Sequence, residues 1–189
     1  MSYKKIINVL LFATALLLVP ITASFFADGW NWDTKGYVAA WVVFALAGFG
    51  YTFVASFGNS IAYKAGAGLG VLGVFLLIWV IPAVGIVGSE DNSANGMYLG
   101  VFVVGLLGMI ISRLKPAGMA ITMFAVAAVQ MLVPTIALLF WNTNVTIGEE
   151  PFWGNVGAFR VFIFNAVFAA LWLGSALLFR RASATSTQM

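Results

Sequence analysis

Six runs of apolar residues constrain this chain more than any motif within it. They fall at roughly 5–27, 36–57, 61–88, 96–113, 116–141 and 155–179. A helix rising about 1.5 Å per residue needs about 20 apolar residues to cross a hydrocarbon core of ~30 Å. The fourth run is short, and the third is long enough to require tilt or a kink. The runs are continuous rather than alternating, which argues against a membrane β-barrel. Composition agrees: 62% of the residues are hydrophobic and 8% are charged, with a mean hydropathy of +1.03. Soluble domains carry about 25% charged residues, so this composition cannot build a water-exposed surface. The expected fold is all-α: a polytopic membrane protein of six transmembrane helices arranged as three helical hairpins. A single bundle would occupy residues 1–181, with a flexible polar tail at 182–189. The opening Lys4-Lys5 and the apolar run after it imitate a signal peptide, but no small-x-small cleavage site follows. That segment therefore reads as the first membrane helix.

Charge placement supplies an orientation. With six crossings and a cytoplasmic N-terminus, the inner side receives Lys4, Lys5, Lys64, Arg113, Lys115, Arg180 and Arg181. The outer side receives only Lys35 and Arg160. This is the basic bias that the positive-inside rule requires, with both termini cytoplasmic. All six acids, Asp28, Asp33, Glu90, Asp91, Glu149 and Glu150, fall on the outer side of that arrangement. The net charge of +3 reflects single and paired cations at helix ends, not a nucleic-acid stripe, so no nucleic acid partner is expected. The expected location is a bacterial inner membrane, with the lipid bilayer as solvent.

The chain contains no Cys and no His. Thiol nucleophiles, disulfides, haem ligation through either residue and the usual zinc sites are thereby excluded. No phosphate-binding loop, Ser-His-Asp set or HExxH segment is present. No cofactor is implied, and a membrane enzyme is the least supported class. Gln130 and Asn165 are the main polar groups expected deep in the helices. Proton-coupled pumps usually place an ionisable group at that depth.

A proline recurs near the outer third of each outward-running helix: Pro20 in LVPITASFF, Pro82 in WVIPAVGIV and Pro134 in LVPTIALLF. Proline removes a helix hydrogen bond and bends the helix. Three bends at similar depth would open the outer half of the bundle, with Thr22 and Thr135 placed to satisfy freed carbonyls. Tyr37-x3-Trp41-Val-Val and Tyr98-x3-Phe102-Val-Val extend the likeness, suggesting that the first two hairpins are a duplication. Ala62, Gly66 and Gly70 form a small-xxx-small stripe, as do Gly96 and Gly100. Such stripes permit close helix contact, within the bundle or between protomers.

Outer turns carry the candidate site. Glu90, Asp91, Asn92 and Asn95 crowd into one turn, and Glu149 and Glu150 into another. Capping of the following inward-running helices would explain the carboxylates, and Pro151 suits a first helical turn. With Asn142 and Asn144, the same groups offer oxygen ligands to a cation, with Glu90 and Asp91 the first choice for any metal. Arg160 would lie more than one turn inside the sixth helix and so must reach outward or pair with a carboxylate. Five of the seven tryptophans, at positions 30, 32, 41, 141 and 153, lie near the outer boundary as an interfacial belt.

The segment Ala83-Val-Gly-Ile-Val-Gly-Ser-Glu-Asp-Asn-Ser-Ala-Asn-Gly-Met-Tyr98 resembles a family of small bacterial integral membrane proteins of unknown function. The family pattern is similar to AVGIIGSEDNPANLMY, followed by a glycine-containing helix and a basic inner turn. Here those are Gly100–Gly108, Arg113-Leu-Lys-Pro and Gly118-Met-Ala. Ser93 stands where the family often has proline, and Gly96 where it has leucine. The resemblance covers roughly Leu77–Pro134 and implies a bacterial membrane location and an important 88–98 turn, with no chemistry. The expected function is a binding or transport protein. Its outward acidic and Asn-rich vestibule would take a cation or small polar ligand through Glu90, Asp91, Asn92, Asn95, Glu149, Glu150 and Arg160. The alternative is a structural or accessory subunit in a homo-oligomer or a complex with another membrane protein.

Overall fold

A computed structural model describes residues 2–27, 32–140, 146–147, 150–151 and 157–186. Six helices long and apolar enough to cross a membrane account for most of them. They are α1 (Tyr3–Ala23), α2 (Thr34–Ala55), α3 (Ile61–Val84), α4 (Leu99–Ser112), α5 (Pro116–Phe140) and α6 (Gly157–Ser186). A 3-10 helix, Ser93–Tyr98, runs directly into α4 and brings that span to membrane length. Two residues on each side of the α5–α6 connection pair antiparallel, Thr146 with Pro151 and Ile147 with Glu150. The protein is therefore a multi-pass membrane protein whose exposed apolar residues, such as Ile111, Leu139 and Val167, contact lipid.

The chain divides into two compact units, 1–56 and 57–189. In the first, α1 and α2 pack antiparallel. Gly48 lies against the Val9 side chain, and Trp41 Nε1 donates to Thr14 Oγ1 at 3.1 Å. Asp33 caps α2, its carboxylate accepting from the Gly36 amide at 2.9 Å, as expected of an acid before a helix.

The second unit is built on α5 and α6. Some 39% of each of these two spans is buried, against 17% of α3. On α6 the buried positions are Val161, Asn165, Phe168, Ala169, Trp172, Ser175, Ala176, Phe179 and Ala182, the three-and-four spacing of one helical face. Helix α3 lies on α6 through glycine. Gly66 meets Ser175 O, Leu178 and Phe179, and a Cβ at Gly73 would stand 2.5 Å from the Trp172 ring. Helix α4 lies on α5 by the same means, with Gly108 against Thr122 and Gly105 against Val126. The small-residue stripe on α3 thus serves packing inside the chain.

The three-hairpin expectation changes here. The pairs α1–α2 and α5–α6 pack against each other, whereas α3 and α4 form no packed interface although a short segment joins them. Their glycines face different partners, so the 85–98 connection links α3 on α6 to α4 on α5. The proposed duplication of the first two hairpins therefore has no counterpart in packing. Helix α3 also stops at Val84, short of residue 88, because Gly85 turns the chain at φ +71°. At the other extreme, residues 182–186 continue α6 and do not form a tail. Ala182 is buried as the next step of the α6 stripe, and neither Gly nor Pro interrupts the helix there.

Two of the three prolines stand at helix ends. Pro20 and Pro82 lie within the last turn of α1 and α3, and Pro134 lies two turns from the end of α5. Thr22 donates to Leu18 O and Val19 O, and Thr135 to Met131 O. These are ordinary back-bonds within the helix, and the carbonyl four residues before each proline is not the one served.

If glycine sets the α3–α6 distance, Gly73→Val should lower stability by about 2 kcal/mol or more through overpacking against Trp172. Gly50, with nothing within 4 Å of its Cβ position, should accept alanine within about 0.5 kcal/mol. Thermal unfolding in detergent micelles compares the two.

Candidate functional site

The connection between α3 and α4 folds inward. Ile86, Val87, Ala94 and Tyr98 are buried with Asn92 and Asn95, while Glu90, Asp91 and Ser93 are exposed. Apolar Ile86 and Val87 favour burial, but their amides leave the helix and need new partners. Asn95 supplies them. Its Oδ1 accepts from the Ile86 and Val87 amides, both at 2.9 Å. Its Nδ2 donates to Ser89 O at 2.8 Å and Val87 O at 3.2 Å. Four hydrogen bonds are the full capacity of a carboxamide. Asn92 Oδ1 accepts from the Ala94 amide at 2.9 Å and so caps the 3-10 helix. Gly85 is needed where it stands: its φ is +71°, and a Cβ there would strike Ser89 O.

Asn95 and Tyr98 are three residues apart on a 3-10 helix and share one face. Tyr98 reaches into the α5–α6 pair, its hydroxyl donating to Asn165 Oδ1 at 2.8 Å. Gln130 Nε2 donates to the same oxygen at 2.8 Å, and Asn165 Nδ2 donates to Val161 O at 2.9 Å. Trp172 Nε1 donates to Gln130 Oε1 at 3.3 Å. These four side chains are at most 1% exposed. One turn further along α6, Ser175 Oγ donates to Gly66 O at 2.7 Å. At the opposite end of α3, the Tyr63 hydroxyl donates to Leu114 O at 2.7 Å. The buried interior is thus a neutral hydrogen-bonded network, and no Asp, Glu, Lys or Arg among the described residues is buried.

The expected site residues separate. Glu90 and Asp91 share an exposed turn, as the sequence placed them. The capping role expected of these two belongs instead to Asn92, two and one residues later. Asn92 and Asn95 hold the turn from within, and Asn95 has no hydrogen-bonding position left for a ligand. Arg160 stands exposed in the first turn of α6, which begins at Gly157, and not more than one turn inside it. It forms no ion pair among the described residues. Pro151 lies in the short antiparallel pair, six residues before α6, not in its first turn. Asp28, Asn142, Asn144 and Glu149, the side chain of Glu150, and Trp30, Trp141 and Trp153 lie outside the described residues. No group of three or more Asp or Glu side chains comes together among the described residues.

Sequence reading singled out Gln130 and Asn165 but not Tyr98, Trp172, Ser175 or Tyr63 as their setting. The signal was present for α6: Asn165, Phe168, Trp172 and Ser175 fall at one-face spacing. Nothing in sequence pairs that face with Tyr98.

Replacing Asn95 with alanine orphans the buried Ile86 and Val87 amides and removes the Asn95 donor from Val87 O, while Ser89 O keeps the Asn92 amide; it should cost about 3 kcal/mol. Amide exchange at Ile86 and Val87 should quicken selectively, which hydrogen-exchange mass spectrometry reads. Within the network, Tyr98→Phe should cost about 1 kcal/mol, because Gln130 still serves Asn165 Oδ1. Asn165→Leu strands both Tyr98 and Gln130 and should cost more than twice as much; equal losses in thermal unfolding would refute this hierarchy. Comparison with protein-family models, with curated proteins and with solved structures finds no match to this chain.

Proposed function

We propose that this chain is a non-enzymatic structural or accessory subunit of the bacterial inner (cytoplasmic) membrane, with both termini in the cytoplasm. One observation carries the reading: the polar side chains buried where α5, α6, α3 and the 3-10 helix meet are bonded to one another or to helix carbonyls. A solute passing through would have to break those bonds and replace them. The absence of buried Asp, Glu, Lys or Arg among the described residues also gives a proton-driven cycle nothing to titrate there. Such an interior suits a rigid body that works through its surfaces. The orientation follows from the placement of seven of the nine cations on one side.

A second reading keeps the outer acidic turn as a binding site for a cation or small polar ligand, in a binding or transport protein. Its support is that Glu90 and Asp91 are exposed on a turn whose backbone Asn95 fixes, so little ordering would accompany binding. In that reading Glu90 and Asp91 are the ligands. Asn92 and Asn95 are framework, and Arg160, Glu149 and Glu150 complete the mouth.

Thermal unfolding of the parent and of a Glu90→Gln, Asp91→Asn variant, with Ca²⁺, Mg²⁺ and an organic diamine, separates the two. The subunit reading expects parallel responses. It also expects a stoichiometric companion, identical or different, in native mass spectra of protein released from membrane patches. Stabilisation of the parent alone by several degrees overturns it in favour of the acidic site.

A further inference from the structure

Three buried residues meet at the end of the second unit opposite the acidic turn. Tyr63 donates its hydroxyl to Leu114 O at 2.7 Å, and its ring meets the Phe179 ring edge-on at 5.0 Å between centroids. Each has a cation beside it in sequence: Lys64 next to Tyr63, Arg113 and Lys115 around Leu114, Arg180 and then Arg181 after Phe179. All five cations are exposed. Their backbones come from three elements that converge on one point, so the charges are gathered by the fold and not by a run in the sequence.

The turn between α4 and α5 is held in an unusual form. Arg113 and Leu114 both have positive φ, 50° and 60°, a conformation that residues other than glycine adopt at some cost. The Tyr63 hydroxyl fixes that turn from below. Within this unit the described carboxylates, Glu90 and Asp91, follow the far end of α3, whose 24 residues span roughly 36 Å. Exposed apolar residues adjoin the cations on the membrane side where α4 and α6 run toward this end: Ile110 and Ile111 before Arg113, and Leu177 before Arg180.

We infer that this end is a docking site for an anionic phospholipid. The headgroup phosphate lies among Lys64, Arg113, Lys115 and Arg180, with its acyl chains along the exposed isoleucines and Leu177. Orientation by the positive-inside rule requires only that cations lie near the inner surface. A headgroup site requires in addition that elements bearing cations be held together; here Tyr63 joins α3 to the Arg113–Lys115 turn through its hydroxyl bond to Leu114 O, and to α6 through its ring contact with Phe179.

Native mass spectrometry of protein released from micelles doped with equal phosphatidylglycerol and phosphatidylcholine tests it. The parent should retain phosphatidylglycerol selectively. Arg113→Gln with Lys115→Gln should weaken that retention about tenfold or more. Lys4→Gln with Lys5→Gln removes the same charge from α1 and should leave retention intact. Both pairs of side chains are exposed, so each variant should elute as the parent does on gel filtration. Equal retention by parent and the 113/115 variant, or equal loss from the two variants, overturns the site.

Discussion

The organisation of the second unit depends on one carboxamide. Where α3 ends at Gly85, the chain must leave a helix without leaving protein, and its amides lose their partners at the edge of an apolar medium. Irregular backbone survives there only if protein satisfies it. Asn95 does so from nine residues away, turning the Ile86 and Val87 amides and the Val87 and Ser89 carbonyls into a closed set. That set permits α3 and α4 to part company. Each then lies on a different member of the α5–α6 pair, and the connection folds into the body instead of looping out.

The same 3-10 helix passes this order inward. Tyr98 lies on the face of Asn95 and ties the connection to Asn165, hence to Gln130 and Trp172. Between membrane helices, burial of apolar surface gives little preference over lipid, so close packing and hydrogen bonds decide which helices pair. Here both act on one line of α6: Trp172 fits against Gly73, and Ser175 bonds the Gly66 carbonyl. Glycine brings α3 close enough for the hydroxyl to reach a carbonyl that would otherwise be sheltered by side chains.

The all-α fold and the number of spans were legible because apolar run length is a one-dimensional property set by bilayer thickness. So was the Asp33 cap, which involves neighbours in sequence. The pairing of helices was not, since Gly66 and Gly73 announce a close contact without naming its partner. That Asn92 and Asn95, expected as ligands, bond the backbone of their own turn was not legible for a related reason. A density of Asn in a turn reads equally as coordination or as backbone satisfaction, and only the inward path of Ile86 and Val87 decides between them. Residues 182–186 are polar enough to suggest a tail, yet α6 runs on to Ser186 and Ala182 continues a packing face.

The two ends of α3 use one device with different consequences. At one end Asn95, and at the other Tyr63, places a buried polar group on the backbone of an adjoining turn. In each case the side chains flanking the anchored backbone are charged and exposed: Glu90 and Asp91 at one end, Arg113 and Lys115 at the other. Topology alone would be served by mobile charged loops, which cost no ordering entropy. Fixing a turn reduces the cost of binding whatever meets its charges, and does so without placing any charge inside the bundle. The neutral network within and the anchored charged turns without are therefore parts of one arrangement, which keeps every described Asp, Glu, Lys and Arg out of the buried interior while fixing the backbone that carries those at the two ends of α3.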